Sequence, residues 1–282
     1  MRKTVFKRAT AALLGATVIT FAAPAVTATA TTPPATQATN LPSGHTLMPG
    51  QSIISGETEL LMQSDGNLVL CLNNDSGHHG PALWASGTYG NPGAYAYMQP
   101  DGNFVVYRQD GGPDSGGALW STGTWGHPDA VISLLNGELG LGGPGGYWQT
   151  LLRFGPEAGG ANDRFGPLPS TLDGHRWIES NSVWLVMQAD GNLVLYRKRD
   201  GAALWSTGTY GHLGKYTYAT ASGSADENAL QVFELDTGSS RLWSIPLKGR
   251  PGDYAKVQDD GNFVLYGSDG TARWSTGTWG NW

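Results

Sequence analysis

Gln188-Ala189-Asp190-Gly191-Asn192-Leu193-Val194-Leu195-Tyr196 decides the fold, because the chain contains this pattern four times with nearly the same residues. The pattern Gln-x-Asp-x-Asn-x-Val-x-Tyr begins at Gln63, Gln99, Gln188 and Gln258, and only the first copy ends in a cysteine, Cys71. A second phrase follows each copy: Trp84-Ala85-Ser86-Gly87-Thr88-Tyr89-Gly90, with counterparts at 120–126, 205–211 and 274–280. Repetition of this kind indicates one supersecondary unit per copy.

The spacing of the copies reveals two weaker ones. Gln63 and Gln99 are 36 residues apart, whereas Gln188 and Gln258 are 70 apart, which leaves room for a further copy between them. Residues 224–232 supply it and retain only Asp226 and Asn228. Residues 134–140 form a fainter echo after the second copy. The chain therefore holds six repeats, numbered 1 to 6 here, in two groups of three.

Each repeat is predicted to form a β-hairpin. Asp-Gly between two apolar runs is a strong hairpin signal, and side chains alternate between the faces of a strand. Asn192, Val194 and Tyr196 therefore share an outer face, while Leu193 and Leu195 point into a core. No sustained helical periodicity is present. The prediction is an all-β protein with three small sheets per domain around a shared axis. The expected axis fillers are the repeated tryptophans Trp84, Trp120, Trp148, Trp205, Trp243 and Trp274.

The remaining segments suggest export and two domains. Residues 1–30 combine a basic start, an apolar stretch and a small-residue end, which is typical of a secretory signal peptide. Residues 31–40 are predicted to be a flexible leader. Two repeat-containing domains are expected over 41–150 and 170–282, joined by a Gly- and Pro-rich linker over 151–169. The expected location is secreted, extracellular.

Composition excludes several partners. Without Arg2, Lys3, Lys7 and Arg8 of the signal peptide, 13 of the 17 basic side chains remain against 23 acidic ones, a net charge of −10. Such a surface repels a polyanion, so nucleic acid is excluded as a partner, and no later segment is long and apolar enough to predict membrane insertion. Cys71 is the only cysteine, so an internal disulfide is excluded as well.

The motif resembles that of the bulb-type (monocot) mannose-binding lectins, and the chain looks like a tandem, two-domain, bacterial-type member. The resemblance implies β-prisms of three four-stranded sheets that bind α-mannose-containing oligo- or polysaccharides without metal or other cofactor. It implies hydrogen bonds from the Asp and Asn to the 2-hydroxyl, from Gln to the 3-hydroxyl and from Tyr to the 4-hydroxyl, with the Val touching the ring. The implied binding residues are Gln99, Asp101, Asn103, Val105 and Tyr107; Gln188, Asp190, Asn192, Val194 and Tyr196; and Gln258, Asp260, Asn262, Val264 and Tyr266. These three sets are called sites 2, 4 and 6 below.

The other repeats depart from the pattern. In repeat 1, Gln63, Asp65, Asn67 and Val69 are expected to form a weakened site, because Cys71 replaces the tyrosine. Repeat 3 has Leu134, Asn136 and Glu138 at the polar positions, and repeat 5 lacks the Gln and Tyr. Both are expected not to bind.

The motif and three other residues also have interpretations that do not involve a sugar. Asp-Gly-Asn suits a tight turn without any ligand, but turn chemistry does not explain the Gln and Tyr. A calcium loop lacks the remaining acidic ligands. The adjacent His78 and His79 are expected in a solvated loop without further ligands, and Cys71 is expected to be inert. No catalytic motif is present, so the protein is not expected to be an enzyme.

The alternative functions are a lectin-like bacteriocin that binds surface polysaccharide of rival bacteria and a structural protein with relic motifs. The aromatic end at 278–282 is a candidate for strand exchange between the halves or in a homodimer.

Overall fold

The computed structural model describes residues 39–73, 79–135, 137–156, 163–166, 170–212, 216–235 and 238–281. The chain divides into residues 1–35 and one compact unit, residues 36–282. The predicted signal peptide and nearly all of the predicted leader lie outside the described residues, as do His78 and Asn136. The prediction of export is therefore not tested by the structure.

Repeats 1, 2, 4 and 6 close their hairpins through the same backbone turn. In repeat 4 the amide of Gln188 donates to the carbonyl of Asn192 (2.9 Å) and that of Gly191 to the carbonyl of Gln188 (3.1 Å). Gly191 has φ of +89°, a conformation that L-residues with a side chain rarely adopt. The glycine of the motif is thus required by backbone geometry, as the Asp-Gly hairpin signal indicated.

Among the described residues, twelve strands precede residue 154 and form the first half of the unit. They are β1 Asn40–Leu41, β2 Thr46–Leu47, β3 Ser52–Ser55, β4 Thr58–Met62, β5 Leu68–Asn73, β6 His79–Ala85, β7 Tyr95–Met98, β8 Phe104–Gly112, β9 Gly116–Ser121, β10 Val131–Leu135, β11 Glu138–Gly143 and β12 Tyr147–Arg153. A short 3-10 helix, Pro144–Gly146, joins the last two strands.

Thirteen strands follow and form the second half. They are β13 Gly155–Pro156, β14 Arg164–Phe165, β15 Ser170–Asp173, β16 Arg176–Glu179, β17 Val183–Met187, β18 Leu193–Arg197, β19 Ala203–Ser206, β20 Tyr216–Ala221, β21 Leu230–Leu235, β22 Ser239–Ser244, β23 Tyr254–Val257, β24 Phe263–Tyr266 and β25 Ala272–Ser275.

Each half is a β-prism of three sheets, one sheet per repeat. In the first half the strand orders are β3-β4-β5-β6, β2-β7-β8-β9 and β1-β10-β11-β12. In the second half they are β13-β16-β17-β18-β19, β15-β20-β21-β22 and β14-β23-β24-β25. The predicted all-β class with three sheets per half is confirmed. The one five-stranded sheet arises because β13 joins β16 in parallel.

The core of each half lies between its three sheets. Leu193 and Leu195 of repeat 4, and Phe104 and Val106 of repeat 2, are fully buried, as the alternation predicted. In the second half Trp205, Trp243 and Trp274 meet with ring centroids 5.6, 5.9 and 6.2 Å apart. This contact confirms three of the predicted axis fillers.

The first half has only two axis tryptophans. Trp84 and Trp120 pack edge to face at 5.2 Å, whereas Trp148 is 41% exposed. A Cβ on Gly140 would lie 2.2 Å from the Trp148 ring. The ring therefore lies over Gly140 on the outer surface of its sheet, a position that any side chain at 140 would block. The prediction for Trp148 was wrong.

The predicted linker contributes strands. β12 extends to Arg153, and both β13 and β14 lie within 151–169, where β14 pairs with β23. These backbone pairings add edge strands to second-half sheets, so part of this Gly- and Pro-rich segment is ordered. The boundaries proposed for the two domains stay a prediction. Among the described residues, no helix has the length and apolarity that crossing a bilayer requires.

Candidate functional site

Sites 2, 4 and 6 each gather their polar side chains at one end of a hairpin. The Gln directly follows the first strand, the Asp lies in the turn, the Asn directly precedes the return strand, and the Val and Tyr lie on that strand at alternate positions. Alternation places these last three on the sheet face opposite the core. The structure therefore brings together all five residues that the sequence predicted for each site.

The Gln and Tyr of each site are hydrogen-bonded to each other. The Gln Nε2 donates to the Tyr hydroxyl oxygen at 3.0 Å in site 2, 2.9 Å in site 4 and 2.7 Å in site 6. The Gln Oε1 has no partner among the described residues, and the Tyr hydroxyl still has its own proton to donate. Each pair thus offers one acceptor and one donor.

The Asp and Asn are held by the backbone and by the second phrase. In site 4 the Asn192 amide N–H donates to Asp190 Oδ1 (3.0 Å). The Asn192 side-chain oxygen accepts from Thr207 Oγ1 (3.1 Å) and from the backbone N–H of Thr209 (3.2 Å). Sites 2 and 6 repeat these bonds with Thr122 and Thr124 and with Thr276 and Thr278.

The two threonines are positioning residues that the sequence analysis missed. They orient the Asn so that its carbonyl is occupied and its NH2 group has no partner among the described residues. The Asp Oδ2 likewise has no hydrogen-bond partner among the described residues. Their signal was present in the repeated second phrase, in which only the tryptophan was interpreted.

Each complete site therefore presents two acceptors and two donors at fixed positions. The acceptors are Asp Oδ2 and Gln Oε1, and the donors are Asn Nδ2 and the Tyr hydroxyl. A sugar hydroxyl both donates and accepts, so neighbouring hydroxyls on a ring suit such a set. The carboxylate supplies the strongest of these bonds, because it is charged.

The three sites differ in how open they are. In site 2, Gln99 and Tyr107 are only 8% and 5% exposed. The long β8–β9 hairpin is hydrogen-bonded to Tyr95, whose hydroxyl donates to the Gly111 carbonyl (3.0 Å). The Gln and Tyr of sites 4 and 6 are half-buried. Burial raises the pKa of Tyr107 and of Tyr196, so both hydroxyls keep their protons at neutral pH.

Site 4 lies where the two halves meet. Trp184 and Val186 on β17 belong to the hydrophobic cluster of the first half, and Tyr196 packs against it. Among the described residues, none of site 6 belongs to that cluster or packs against it.

The motif valines are buried. Val105, Val194 and Val264 are between 2% and 3% exposed, so each offers at most a small apolar patch at the floor of its site. Strand alternation predicts these valines on an outer strip, where the resemblance implies that they touch the sugar ring. Their burial follows from the hydrophobic effect, which favours packing a valine beneath the surrounding polar groups.

In repeat 1, Cys71 occupies the position of the motif's tyrosine and lies in a cluster with Glu59 and His79. Cys71 is buried beside Glu59, its cross-strand partner, and His79 Nδ1 lies 2.8 Å from Glu59 Oε2. One ligand atom from each of the three lies within 4.8 Å of the others. The expectation that His79 has no further potential ligand nearby was therefore wrong.

This cluster is best described as a hydrogen-bonded His79–Glu59 pair beside a protonated thiol. Burial, with a contribution from Glu59, raises the pKa of Cys71 to about 12, and only the thiolate binds metal strongly. Gln63, Asp65, Asn67 and Val69 keep the motif's backbone geometry, since the Asn67 amide donates to Asp65 Oδ1 (2.9 Å). Without a tyrosine the set lacks one donor, and its weakened binding stays a prediction.

In repeats 3 and 5 the residue at the Asn position is hydrogen-bonded within its own repeat. Glu138, at the Asn position of repeat 3, accepts from Trp148 Nε1 (3.1 Å) and Thr150 (2.5 Å) and pairs with Arg153 (3.3 Å). In repeat 5 the Asn228 amide donates to Ser244 Oγ (2.6 Å). That these repeats do not bind stays a prediction.

The C-terminal segment stays on its own hairpin in this structure. β25 pairs with β24, and Gly280 N donates to the Asp260 carbonyl at 2.8 Å. Strand exchange between halves or in a homodimer stays a prediction, and Trp282 lies outside the described residues.

No family model matches the chain. The chain is 28% identical over 245 residues to mannose-specific lectin 2 of Colocasia esculenta, covering 83% of each chain. Among solved structures it is similar to the Polygonatum cyrtonema lectin complexed with monomannoside, at 29% identity over 39% of this chain and 93% of that one, with a TM-score of 0.32. It is also similar to the Scilla campanulata agglutinin, a two-domain lectin, at 24% identity over 84% of this chain and 100% of that one, with a TM-score of 0.30. TM-scores of this size do not locate any site residue. The sequence similarity supports the relationship to monocot mannose-specific lectins that the motif indicated.

Proposed function

We propose that this protein is a secreted, multivalent, non-enzymatic lectin that binds α-mannose-containing glycans without metal through sites 2, 4 and 6. One observation carries the proposal. The same Gln–Tyr hydrogen bond and the same Asp–Asn–Thr network occur in three separate hairpins. A fold requires repeated apolar residues, but it does not require an identical set of outward donors and acceptors. The name of the Colocasia relative supports mannose as the ligand.

The number of sites determines the kind of ligand. A shallow site with four hydrogen-bonding groups binds a monosaccharide weakly, on the order of millimolar (about 4 kcal/mol). Linked sites raise the overall avidity by roughly 10² to 10⁴ where the geometry lets them engage together. The target is therefore a branched or polymeric mannose glycan and not free mannose.

Retention of the untagged mature protein on mannose-agarose, with elution by methyl α-mannoside, tests the proposal. Calorimetry with yeast mannan provides the independent measurement. Absence of both retention and heat would refute the assignment of a mannose lectin. Mass spectrometry of the culture supernatant tests export, since the secreted form should lack residues 1–30.

The bacteriocin alternative makes a different prediction for the same protein. A lectin-like bacteriocin produces a clearing zone on a lawn of related strains, whereas a lectin without antibacterial activity does not. The spot assay therefore separates the two functions even though both require sugar binding.

A further inference from the structure

Four exposed aromatic rings occupy equivalent positions in the repeats. Each follows by five residues the tryptophan that begins a second phrase. They are Tyr89 (70% exposed), Trp125 (67%), Tyr210 (71%) and Trp279 (70%). All four belong to repeats that keep the Gln-x-Asp-x-Asn-x-Val pattern.

The two repeats that lost the pattern also lost the ring. At the same offset from Trp148 and Trp243, repeats 3 and 5 have Arg153 and Lys248. All six repeats share the hairpin architecture, so the fold itself does not require an aromatic residue there. The aromatic residue is therefore present in the repeats that keep the polar motif and absent from the two that lost it.

The backbone ties the segment that carries the ring to the residues of its site. In repeat 2 the neighbours of Trp125 are both bound to the site: Thr124 N donates to Asn103 Oδ1 (3.2 Å) and Gly126 N to the Asp101 carbonyl (2.9 Å). Repeat 6 has the same arrangement around Trp279, where Gly280 N donates to the Asp260 carbonyl (2.8 Å).

The turn also keeps the ring in solvent. Gly123 and Gly126, on either side of Trp125, have φ of +69° and +96°, which glycine adopts without strain. A Cβ on Gly123 would lie 3.5 Å from the Trp125 ring, so the ring covers the glycine whose N–H donates to Asn103 Oδ1 (2.9 Å). Leaving a tryptophan two-thirds exposed forgoes the large stabilisation that its burial would give.

We propose that Trp125, Tyr210 and Trp279 are stacking platforms for a second sugar residue, so that sites 2, 4 and 6 each recognise at least a disaccharide. The proposal rests on the proposed lectin function. A pyranose has one face lined by C–H groups, and an exposed ring is a flat apolar surface that such a face can cover. Tyr89 lies beside the weakened site of repeat 1, so it is not included.

The test compares ligands of two lengths. The probes are methyl α-mannoside and α-linked mannotriose, titrated by ligand-observed NMR into the mature wild type and into the triple variant Trp125→Ala, Tyr210→Ala, Trp279→Ala. We expect the dissociation constant for methyl α-mannoside to change less than twofold and that for mannotriose to rise about three- to tenfold. The variant with phenylalanine at the three positions should retain most of the mannotriose affinity.

Trp148→Ala and Tyr216→Ala are matched controls, because both rings are exposed (41% and 51%) on repeats without a site. Neither should change binding of either sugar. Equal weakening for both ligands, or no change for either, would overturn the proposal. So would a loss of self-association in size-exclusion chromatography with unchanged glycan affinity, since the rings would then contact a second copy. If the wild type binds neither sugar, the lectin function itself has failed, which is a distinct result.

Discussion

Replacing Tyr107, Tyr196 and Tyr266 together by phenylalanine should abolish retention on mannose-agarose while leaving the fold intact. Each hydroxyl accepts a hydrogen bond from its Gln at 3.0, 2.9 or 2.7 Å and has one proton for the ligand. Phenylalanine removes that donor and releases the Gln side chain from its position. The ring and its packing remain.

The magnitude follows from one lost hydrogen bond per site. A net contribution of about 0.5–1.5 kcal/mol corresponds to a two- to tenfold weaker affinity for each site. Where three sites engage one polymer, these factors multiply to roughly 10–10³, which is sufficient to prevent retention of a weak binder. The single variants should therefore bind measurably, and the triple variant should not.

Stability should fall mainly through site 2. Gln99 is 8% exposed, so its amide loses a partner in a place with little access to water, at a cost of about 1–3 kcal/mol. The half-buried Gln188 and Gln258 can bond water instead. A decrease in Tm of about 2–4 °C per kcal/mol is expected for a domain pair of this size, with an unchanged circular dichroism spectrum.

Tyr216→Phe is the matched control. The Tyr216 hydroxyl donates to Asp173 Oδ1 (2.8 Å) on a repeat without a complete site, so the same chemical change should leave retention unaffected. If the folded triple variant elutes from mannose-agarose like the wild type, the tyrosines do not contact the ligand and the site assignment is wrong.

Three further predictions follow. Dialysis against EDTA should leave retention on mannose-agarose unchanged, because the donors and acceptors of the three sites need no metal; a loss restored by a divalent cation would contradict this. Gly102→Ala should destabilise the protein about 1–3 kcal/mol more than Gly116→Ala in urea unfolding. Both glycines have positive φ (+92° and +73°), but only at 102 would the added Cβ lie 2.3 Å from the His127 carbonyl oxygen; equal costs would rule out this steric explanation. Burial and the neighbouring Glu179 raise the pKa of Glu57 to about 7, so between pH 4.5 and 7 the folded state holds a proton that the unfolded state has lost, and stability should decrease as pH rises through this range. A full shift would change the free energy of unfolding by about 3 kcal/mol, but Glu57 is 43% exposed, so we expect a change of about 1 kcal/mol. The variant Glu57→Gln should lose this pH dependence. A wild type whose stability is independent of pH would refute the prediction.

The sequence predicted the hairpins and their faces because both depend on local rules. Alternation placed Leu193 and Leu195 in the core and Tyr196 on the opposite face, as observed. It could not show that Val194 would be 3% exposed, since burial of an outer-face residue depends on what surrounds it. The role of Thr207 and Thr209 likewise required knowing which turn packs beside Asn192.

Two errors have the same origin. Trp148 was assigned to the axis by its position in the repeat, but its sheet lacks side chains at Gly140 and Gly142, and the ring lies over these glycines instead. His79 was assigned to an isolated loop, yet strand β6 brings it beside Glu59 on β4. Residues 20 positions apart in the chain become neighbours only when strands pair.

The sequence by itself determined the all-β architecture and the hairpin turns, because each is encoded within about ten consecutive residues. The spacing of the motif copies determined the number of repeats, and the motif supplied the residues that we propose as binding sets. Tertiary structure alone decided how open each set is, which partners orient its side chains, and which residues surround Cys71 in repeat 1. Those properties depend on contacts between strands, turns and halves that are distant in the chain, and no local pattern specifies which of these surfaces will meet.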